Sequence, residues 1–317
     1  MATYKDIKGT SIEVVSSDPS NPVLGQIWYN TTSQTLKGLE FGAAAWATGG
    51  NLSTARQNPG GAGTQTAGLA FGGSVSPKTQ TEEYGGTSWT SGGNLNTGRQ
   101  YLSGAGTQTA AVGFGGAPSP SATEEYNGSS WTNSNNMSGG TNSTSGLGTQ
   151  TAALAAGGFP PGDKGSDEYN GTSWTAGGLM TTNRQAMGAC GTQTAGLVFG
   201  GGGGTPPQGQ TEEYDGSSWT NGGSMSTAKR YLAGAGTQTA GMAFGGSEPP
   251  PATGATELYD GSSWTNTSSM NTARSRLAGA GLQPAALAFG GNNGTAVTAV
   301  TEEYNEAGPA TATLSGS

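Results

Sequence analysis

The sequence predicts an all-β fold, a six-bladed β-propeller, and three observations carry that expectation. One block recurs six times, marked by Trp46, Trp89, Trp131, Trp174, Trp219 and Trp264. From each Trp to the following GTQTA-like stretch the block admits no insertion or deletion. Within it, short runs are punctuated by Gly-rich, Asn-Gly or Asp-Gly turns, and no helical periodicity appears. The copy at Trp219 reads TEEYDGSSWTNGGSMSTAKRYLAGAGTQTAGMAFGG. A unit this short cannot bury its own apolar face, so neighbouring copies must complete the core.

Each copy reads as four strands. The first is Gly and Ala, as in Ala233 to Gly236, which suits the crowded axis of a propeller. The second is of the AGLAFGG type, the third is TEEY, and the fourth carries the Trp. Trp and Tyr on the outer strands supply bulk to fill the wedge between splaying blades. Asn127-Gly128, Asn170-Gly171, Asp215-Gly216 and Asp260-Gly261 stand between Tyr and Trp. They predict a two-residue type I′ turn, and so a tight hairpin of the third and fourth strands.

The ends of the array predict how it closes. Tyr304 has Pro309 five residues on where other copies have Trp, and Trp46 has no TEEY before it. The strand around Ala43 to Thr48 is therefore expected to complete the sixth blade against Thr301 to Tyr304, leaving no exposed edge. Residues 1–42 read as a separate N-terminal attachment segment containing a small β-hairpin, 43–304 as the propeller, and 305–317 as an extended, loosely ordered tail.

Composition bounds the partners. Of 317 residues, 60 are Gly and only 10% are charged; the net charge is -8. This argues against a nucleic-acid binder or an anionic-membrane binder, which need a basic footprint. The regular Trp register argues against the disorder that low hydrophobicity alone would suggest. The single Cys190, where other copies have Ala, reads as a small core residue and excludes an internal disulfide. The N-terminus has no apolar run of signal-peptide or membrane-span length, so synthesis in the cytoplasm is expected.

Several positions recur in one order. Gly doublets close the second strand, Tyr precedes Trp by five, and Leu or Met follows Trp by six. Four residues later comes a cation: Arg56, Arg99, Arg184, Lys229 and Arg274, with Thr141 in its place in the third copy. Over residues 43–304 this resembles the kelch repeat of the galactose-oxidase-like propeller group. The WD40 signatures are missing. The opening stretch, with GQIWYNTTSQTLK, looks like the N-terminal region of structural proteins of tailed bacteriophages, marine ones in particular. That resemblance implies a virion protein held through its N-terminus to other virion proteins.

Chemistry is sparse. The chain has no His, which removes imidazole acid–base catalysis, Ser-His-Asp triads and nearly all zinc and copper sites. The copper chemistry of galactose oxidase is therefore not expected, and neither a metal nor a cofactor is. DGSSW resembles the Asp-box of sialidase propellers but is one residue short. The TEEY carboxylates, such as Glu82 and Glu83, alternate faces of a strand and do not form the facing pair of a glycosidase. One carboxylate of each pair is expected to meet the repeat's cation and the other to face solvent. The five cations read either as braces of the blade junctions or as an anion-binding ring. The repeated Gln of GTQTA (Gln65, Gln108, Gln150, Gln193, Gln238, Gln283) is expected to bond backbone at its own turn.

Length varies only between the Gly doublet and TEEY, in loops such as SVSPKTQ, FPPGDKG and SEPPPATGA. Variable loops on a rigid scaffold are where binding resides, and idle drift is the competing reading. Lys78, Asp163, Lys164 and Glu248 are the charged candidates there. The combined expectation is a non-enzymatic virion protein of tail-fibre or tail-accessory type. It would present its propeller to a host cell-surface polymer, with glycans foremost, and act as a homo-oligomer in the particle. A capsid decoration protein, a glycan-active propeller enzyme and an intracellular kelch adaptor are the alternatives.

Overall fold

A computed structural model describes residues 12–23, 25–158, 165–202, 206–247, 251–306 and 308–314. Asp163, Lys164 and Glu248 lie outside these residues. The chain divides into two compact units, Met1–Ala44 with Glu306–Ser317, and Ala45–Asn305. Among the described residues every regular element is a β-strand.

The larger unit is a series of four-stranded antiparallel sheets, the pattern of a propeller-like fold; the repeats form six of them among the described residues. We number them 1 to 6 in chain order: 60–91, 103–134, 145–176, 188–221, 233–267, and 278–305 completed by Ala45–Thr48. In sheet 6, Tyr304 stands opposite Trp46 and Glu302 opposite Thr48. First strands are Gly-rich because they approach one another closely. A Cβ on Gly104 of sheet 2 would lie 2.7 Å from the Gly61 carbonyl of sheet 1 and 2.4 Å from the Phe71 ring.

The core lies between consecutive sheets. Trp131 of sheet 2 stacks at 4.8 Å on Phe71 of sheet 1 and at 5.0 Å on its own strand neighbour Tyr126. Its indole N–H donates to Thr81 of sheet 1 at 2.9 Å. Leu69, Leu95, Leu102 and Ala111 complete that cluster. The same indole-to-hydroxyl bond recurs at Trp46, Trp89, Trp174, Trp219 and Trp264, always to the sheet before; for Trp89 of sheet 1 the acceptor is Thr301 of sheet 6. Aromatic pairs of this geometry each contribute about 0.5–1.5 kcal/mol beyond the area they bury. Cys190 packs in the corresponding cluster between sheets 4 and 5, and burial pushes its thiol up to about 12.

The Tyr–Trp turn differs from the expected type I′. The Asn127 amide donates to the Ser130 carbonyl at 3.2 Å, so Gly128 and Ser129 are the central residues, and only Gly128 has positive φ, 89°. Positive φ confined to a first-position Gly suits type II′. Asn127 precedes the turn, and its Oδ1 accepts the amides of Ser129 and Ser130 at 3.0 and 2.9 Å. Asp215 and Asp260 do the same; their serine donors hold Asp260 down at about 2 and Asp215 lower still.

The Gln residues also depart from expectation. Gln108 donates not to its own turn but to the Gly68 and Tyr84 carbonyls of the preceding sheet, at 3.0 and 2.7 Å. Gln65 makes the corresponding bond to Tyr304 of sheet 6 at 2.5 Å.

In the smaller unit, Ile27–Asn30 and Thr35–Phe41 form a hairpin, and Glu13–Val15 runs parallel to the first of these strands. Asp18 anchors it, accepting from Lys37 (2.7 Å), Asn30 (2.7 Å) and the buried Trp28 (3.1 Å), which holds its carboxyl down at about 2. The C-terminal segment is not loose: Pro309–Thr313 pairs antiparallel with Thr35–Phe41. That strand leaves a free edge beside Gly38 which only an extended segment can satisfy.

Two outcomes follow from these contacts. A chain trimmed to 45–305 should melt cooperatively, whereas one trimmed to 49–305 loses the buried Trp46. That loss, about 3–5 kcal/mol, should lower the calorimetric Tm by roughly 10 °C. Equal melting of the two would show that the Trp46 strand contributes nothing. The second outcome concerns alkali. Tyr126 donates to Glu83 of the preceding sheet at 2.5 Å, and Tyr214 and Tyr259 donate to Glu168 and Glu213 at 2.6 Å. Burial first, and the carboxylate second, push Tyr84, Tyr126, Tyr169 and Tyr259 up to about 12 and raise Tyr214. Unfolded tyrosine ionises near 10, so between about pH 10 and 12 the unfolded chain releases protons that the native chain keeps. Stability is therefore full below pH 10 and falls as pH rises to 12. The urea midpoint should drop over that range, and less steeply in Tyr126→Phe.

Candidate functional site

The repeated cations are placed by the connection from each Trp strand to the next first strand. Arg99, 0% exposed, donates to the Gly115 and Ala122 carbonyls at 2.8 Å and to Glu124 at 2.9 Å. Gly115 and Ala122 are the two ends of the variable loop of sheet 2, so the guanidinium clamps the neck of that loop. Arg184 and Arg274 clamp their loops in the same way, with carboxylate contacts of 2.7 and 3.0 Å; Arg56 pairs with Glu82, and Lys229 with Glu257 at 3.2 Å. The other oxygen of Glu124 accepts the Asn96 amide at 2.7 Å, so the carboxylate holds the connection between Trp89 and the next first strand at two points. Burial draws the Arg56, Arg99 and Arg184 guanidiniums below their ordinary range, and Arg274 to about 10, with the facing carboxylate opposing in each case.

An anion-binding ring of these cations is thereby corrected: none presents a charge to solvent. The junction brace exists, but in the backbone, where the Gly73 amide of sheet 1 donates to the Arg99 carbonyl at 2.9 Å. Because that bond needs no side chain, Thr141 keeps it, donated by Gly116 at 3.0 Å. The second carboxylates do not simply face solvent either; they accept the tyrosine hydroxyls of the next sheet.

Two residues beyond each cation lies a position that the repeats do not share: Asn58, Tyr101, Ser143, Ala186, Tyr231 and Arg276. All six adopt left-handed backbone, φ 53° to 59°. None is Gly, and such conformations cost on the order of 1–3 kcal/mol unless the surroundings impose them. Hydrogen bonds impose them here. Tyr101 N donates to Asn58 O (3.1 Å), Ser143 to Tyr101 (3.0 Å), Ala186 to Ser143 (3.0 Å), Tyr231 to Ala186 (2.8 Å), Arg276 to Tyr231 (2.8 Å) and Asn58 to Arg276 (2.8 Å). The sixth bond returns to the first residue.

This collar lines a cavity of about 150 Å³ together with the Gly-rich first strands. The variable loops adjoin it. Gln100, next to Tyr101, bridges Ala117, and Arg230, next to Tyr231, bridges Ser247, each at the start of a variable loop. The far ends of the loops meet the Trp connections, as in Leu95 N to Thr79 O at 2.8 Å. Lys78 lies half-buried in the loop of sheet 1 with φ 63°, its carbonyl accepting the Arg99 amide at 3.1 Å.

Sequence reading passed over the collar because its six residues share no chemistry. The available signal was their variability: inside a block of constant length, a position of changing type marks a surface and not a core. Among the described residues no group of acidic, Cys or His side chains could hold a metal ion. No protein-family model matches the chain. No curated protein matches its sequence.

The buried pairs are testable by unfolding. Arg99→Met leaves Glu124 charged and buried, and should cost about 3–5 kcal/mol in urea denaturation. Arg99→Met with Glu124→Gln should recover part of that loss, giving a favourable coupling of roughly 0.5–3 kcal/mol. Strict additivity would show that the pair is not the source of the cost.

Proposed function

We propose that this chain is a non-enzymatic virion structural protein of a tailed bacteriophage, of tail-fibre or tail-accessory type. Residues before the repeats attach it to other virion proteins, and the repeats form a six-bladed propeller of the kelch kind that meets a polymer on the host surface. Support for the six-bladed ring comes from the contacts of sheet 1 on sheet 6. Trp89 to Thr301 and Gln65 to Tyr304 repeat bonds made between every other consecutive pair, and Tyr84 to Glu303 repeats the bond that sheets 2 to 5 make to the sheet before; in sheet 6 Tyr304 meets Thr267 instead, because Leu258 stands in place of the Glu. The cyclic bonds of the collar and the pairing of Trp46 with Tyr304 point the same way. Support for the virion setting is the resemblance of the opening segment.

The observation that carries the binding role is a convergence. The collar position that varies in type lines one cavity, and the loops that vary in length start beside the collar. Most of the remaining repeat positions are uniform, and their Trp, Tyr, Gln and cation side chains are engaged between or within sheets. The repeated carboxylates accept bonds from Arg, Tyr or backbone, which favours binding without turnover. Several copies on one particle would multiply a modest affinity per site.

The reading is tested on the particle. An electron-microscopy map should place the opening segment against another virion protein, with the loop-bearing side of the repeats outward. A map with that side buried against the particle would overturn it. Incubation with host-surface polysaccharide should release no new reducing ends; depolymerisation abolished by Glu83→Gln would favour an enzyme instead.

A further inference from the structure

We infer that the cavity at the collar binds a carboxylate-bearing sugar, held by Arg276, Tyr231 and Asn58 of its lining together with Arg230, which lies beside the lining over the Tyr231 ring. The inference deepens the proposed host-surface role and rests on its claim that the collar side meets ligand.

Among the described residues most cations of this acidic chain are already committed. Five are buried against carboxylates and Lys37 is paired with Asp18. Arg230 and Arg276 differ. Among the described residues neither guanidinium meets a carboxylate. Instead both lie over one ring, that of Tyr231, with Cζ at 5.5 and 4.8 Å from its centroid. Tyr231 and Arg276 line the cavity, and Asn58 follows Arg276 in the collar, its amide donating to the Arg276 carbonyl at 2.8 Å. The Asn58 Nδ2 is buried without an acceptor, and so are the Nε atoms of both arginines. Sheets 5, 6 and 1 thus bring together three unpaired donors, with one unpaired acceptor, the Gln57 Oε1, beside Asn58. Unpaired buried donors are costly, and a ligand that supplies oxygen acceptors removes that cost.

Carboxylate is the acceptor that fits two guanidiniums, because it can take paired N–H bonds from a planar fork. A sugar fits the rest of the wall. Tyr101 and Ser143 carry hydroxyls, Tyr231 carries a ring, and the rest of the lining is Gly, Ala, Ser and Thr with Leu102, Met187, Leu232 and Leu277 among them. The net charge of -8 repels anions at long range, so capture of any anion depends on this local pair of arginines.

The repeats themselves supply substitutions that keep the fold. Ala186 occupies the collar position of Arg276 in the fourth repeat, with φ 55°. Gln57, Gln100 and Gln185 occupy that of Arg230. Arg276→Ala and Arg230→Gln should therefore melt like the parent chain. The full chain is titrated calorimetrically with oligogalacturonate, oligoglucuronate and sialyllactose, against methyl-esterified oligogalacturonate, lactose and triglutamate. At least one acidic sugar should bind, with its uncharged counterpart at least tenfold weaker. Each single variant should lose about tenfold and the double variant all measurable binding. Equal binding of charged and uncharged sugars, or unchanged binding by the variants, would overturn the inference while leaving the host-surface role standing. Triglutamate binding as tightly as the sugars would reassign the site to peptide carboxylates. Binding of no acidic sugar would also overturn it, and the particle map then judges the display role separately.

Discussion

Everything in the repeat array depends on the indole that each sheet inserts against the sheet before it. A four-stranded sheet of Gly, Ala and single Leu or Phe residues has too little apolar surface to hold two layers of its own. Trp131 resolves this by stacking on Phe71, packing on Tyr126 and donating to Thr81 at once. The same repeat then reaches back twice more, through Tyr126 to Glu83 and through Gln108 to the Gly68 and Tyr84 carbonyls. These contacts explain the pattern of lengths. The Trp, the cation, the collar residue and the Gln follow in a row, and each has a partner at a set distance. One added residue would misplace all that follow. Between the Gly doublet and TEEY the chain is held near its ends, by Arg or Lys in five copies and by backbone bonds, so length is free between them.

The third repeat shows what happens when one part changes. Thr141 replaces the cation, Asp167 replaces the Glu that would pair with it, and Ala156 replaces the Phe that would meet the next indole. The cation is lost but the carboxylate stays as the shorter Asp167, which is half-buried instead of buried and accepts from Ser138 at 3.4 Å, so no unpaired charge is left in the core. Beside Ala156, Met180 and Met187 fill the cluster around Trp219, using the flexible side chain suited to irregular space. Trp219 itself turns to Ser166 at 3.3 Å in place of the threonine found in every other copy. Backbone bonds through Gly116 and Thr141 persist, so the sheet spacing survives a change in chemistry.

Strands, their order and the pairing of the two ends of the array were legible because they follow from period, turn residues and the orphan Trp46. What was misread shares one cause. The Asn-Gly turn, the second carboxylate, Gln108 and the tail were each interpreted within their own segment, yet their partners lie elsewhere. The Asn127 side-chain Oδ1 accepts the amides of Ser129 and Ser130 and so places Asn127 before the turn instead of within it, Glu83 and Gln108 serve a neighbouring sheet, and Pro309–Thr313 serves a strand some 270 residues earlier in the chain. The cation at Arg99 was legible as one partner of a carboxylate, but not as the clamp of a loop neck, because carbonyl acceptors leave no trace in a sequence. The collar was illegible for the opposite reason: repetition draws the eye to constant positions, and the collar is where the repeats differ.

That difference has a structural meaning. Six backbones in left-handed conformation, joined by amide-to-carbonyl bonds, impose near-identical geometry on six positions whatever side chains they carry. The scaffold therefore stays regular while its lining becomes irregular: amide, phenol, hydroxyl, methyl, phenol and guanidinium in succession. A site built of six equal groups could recognise only a ligand with matching symmetry. One built of unlike groups on equal backbone can recognise an asymmetric molecule, with cationic donors on one side and hydroxyls on the other. The strain of holding non-Gly residues at positive φ is offset by the hydrogen bonds of the collar itself, so the lining can change by substitution without unsettling the sheets behind it.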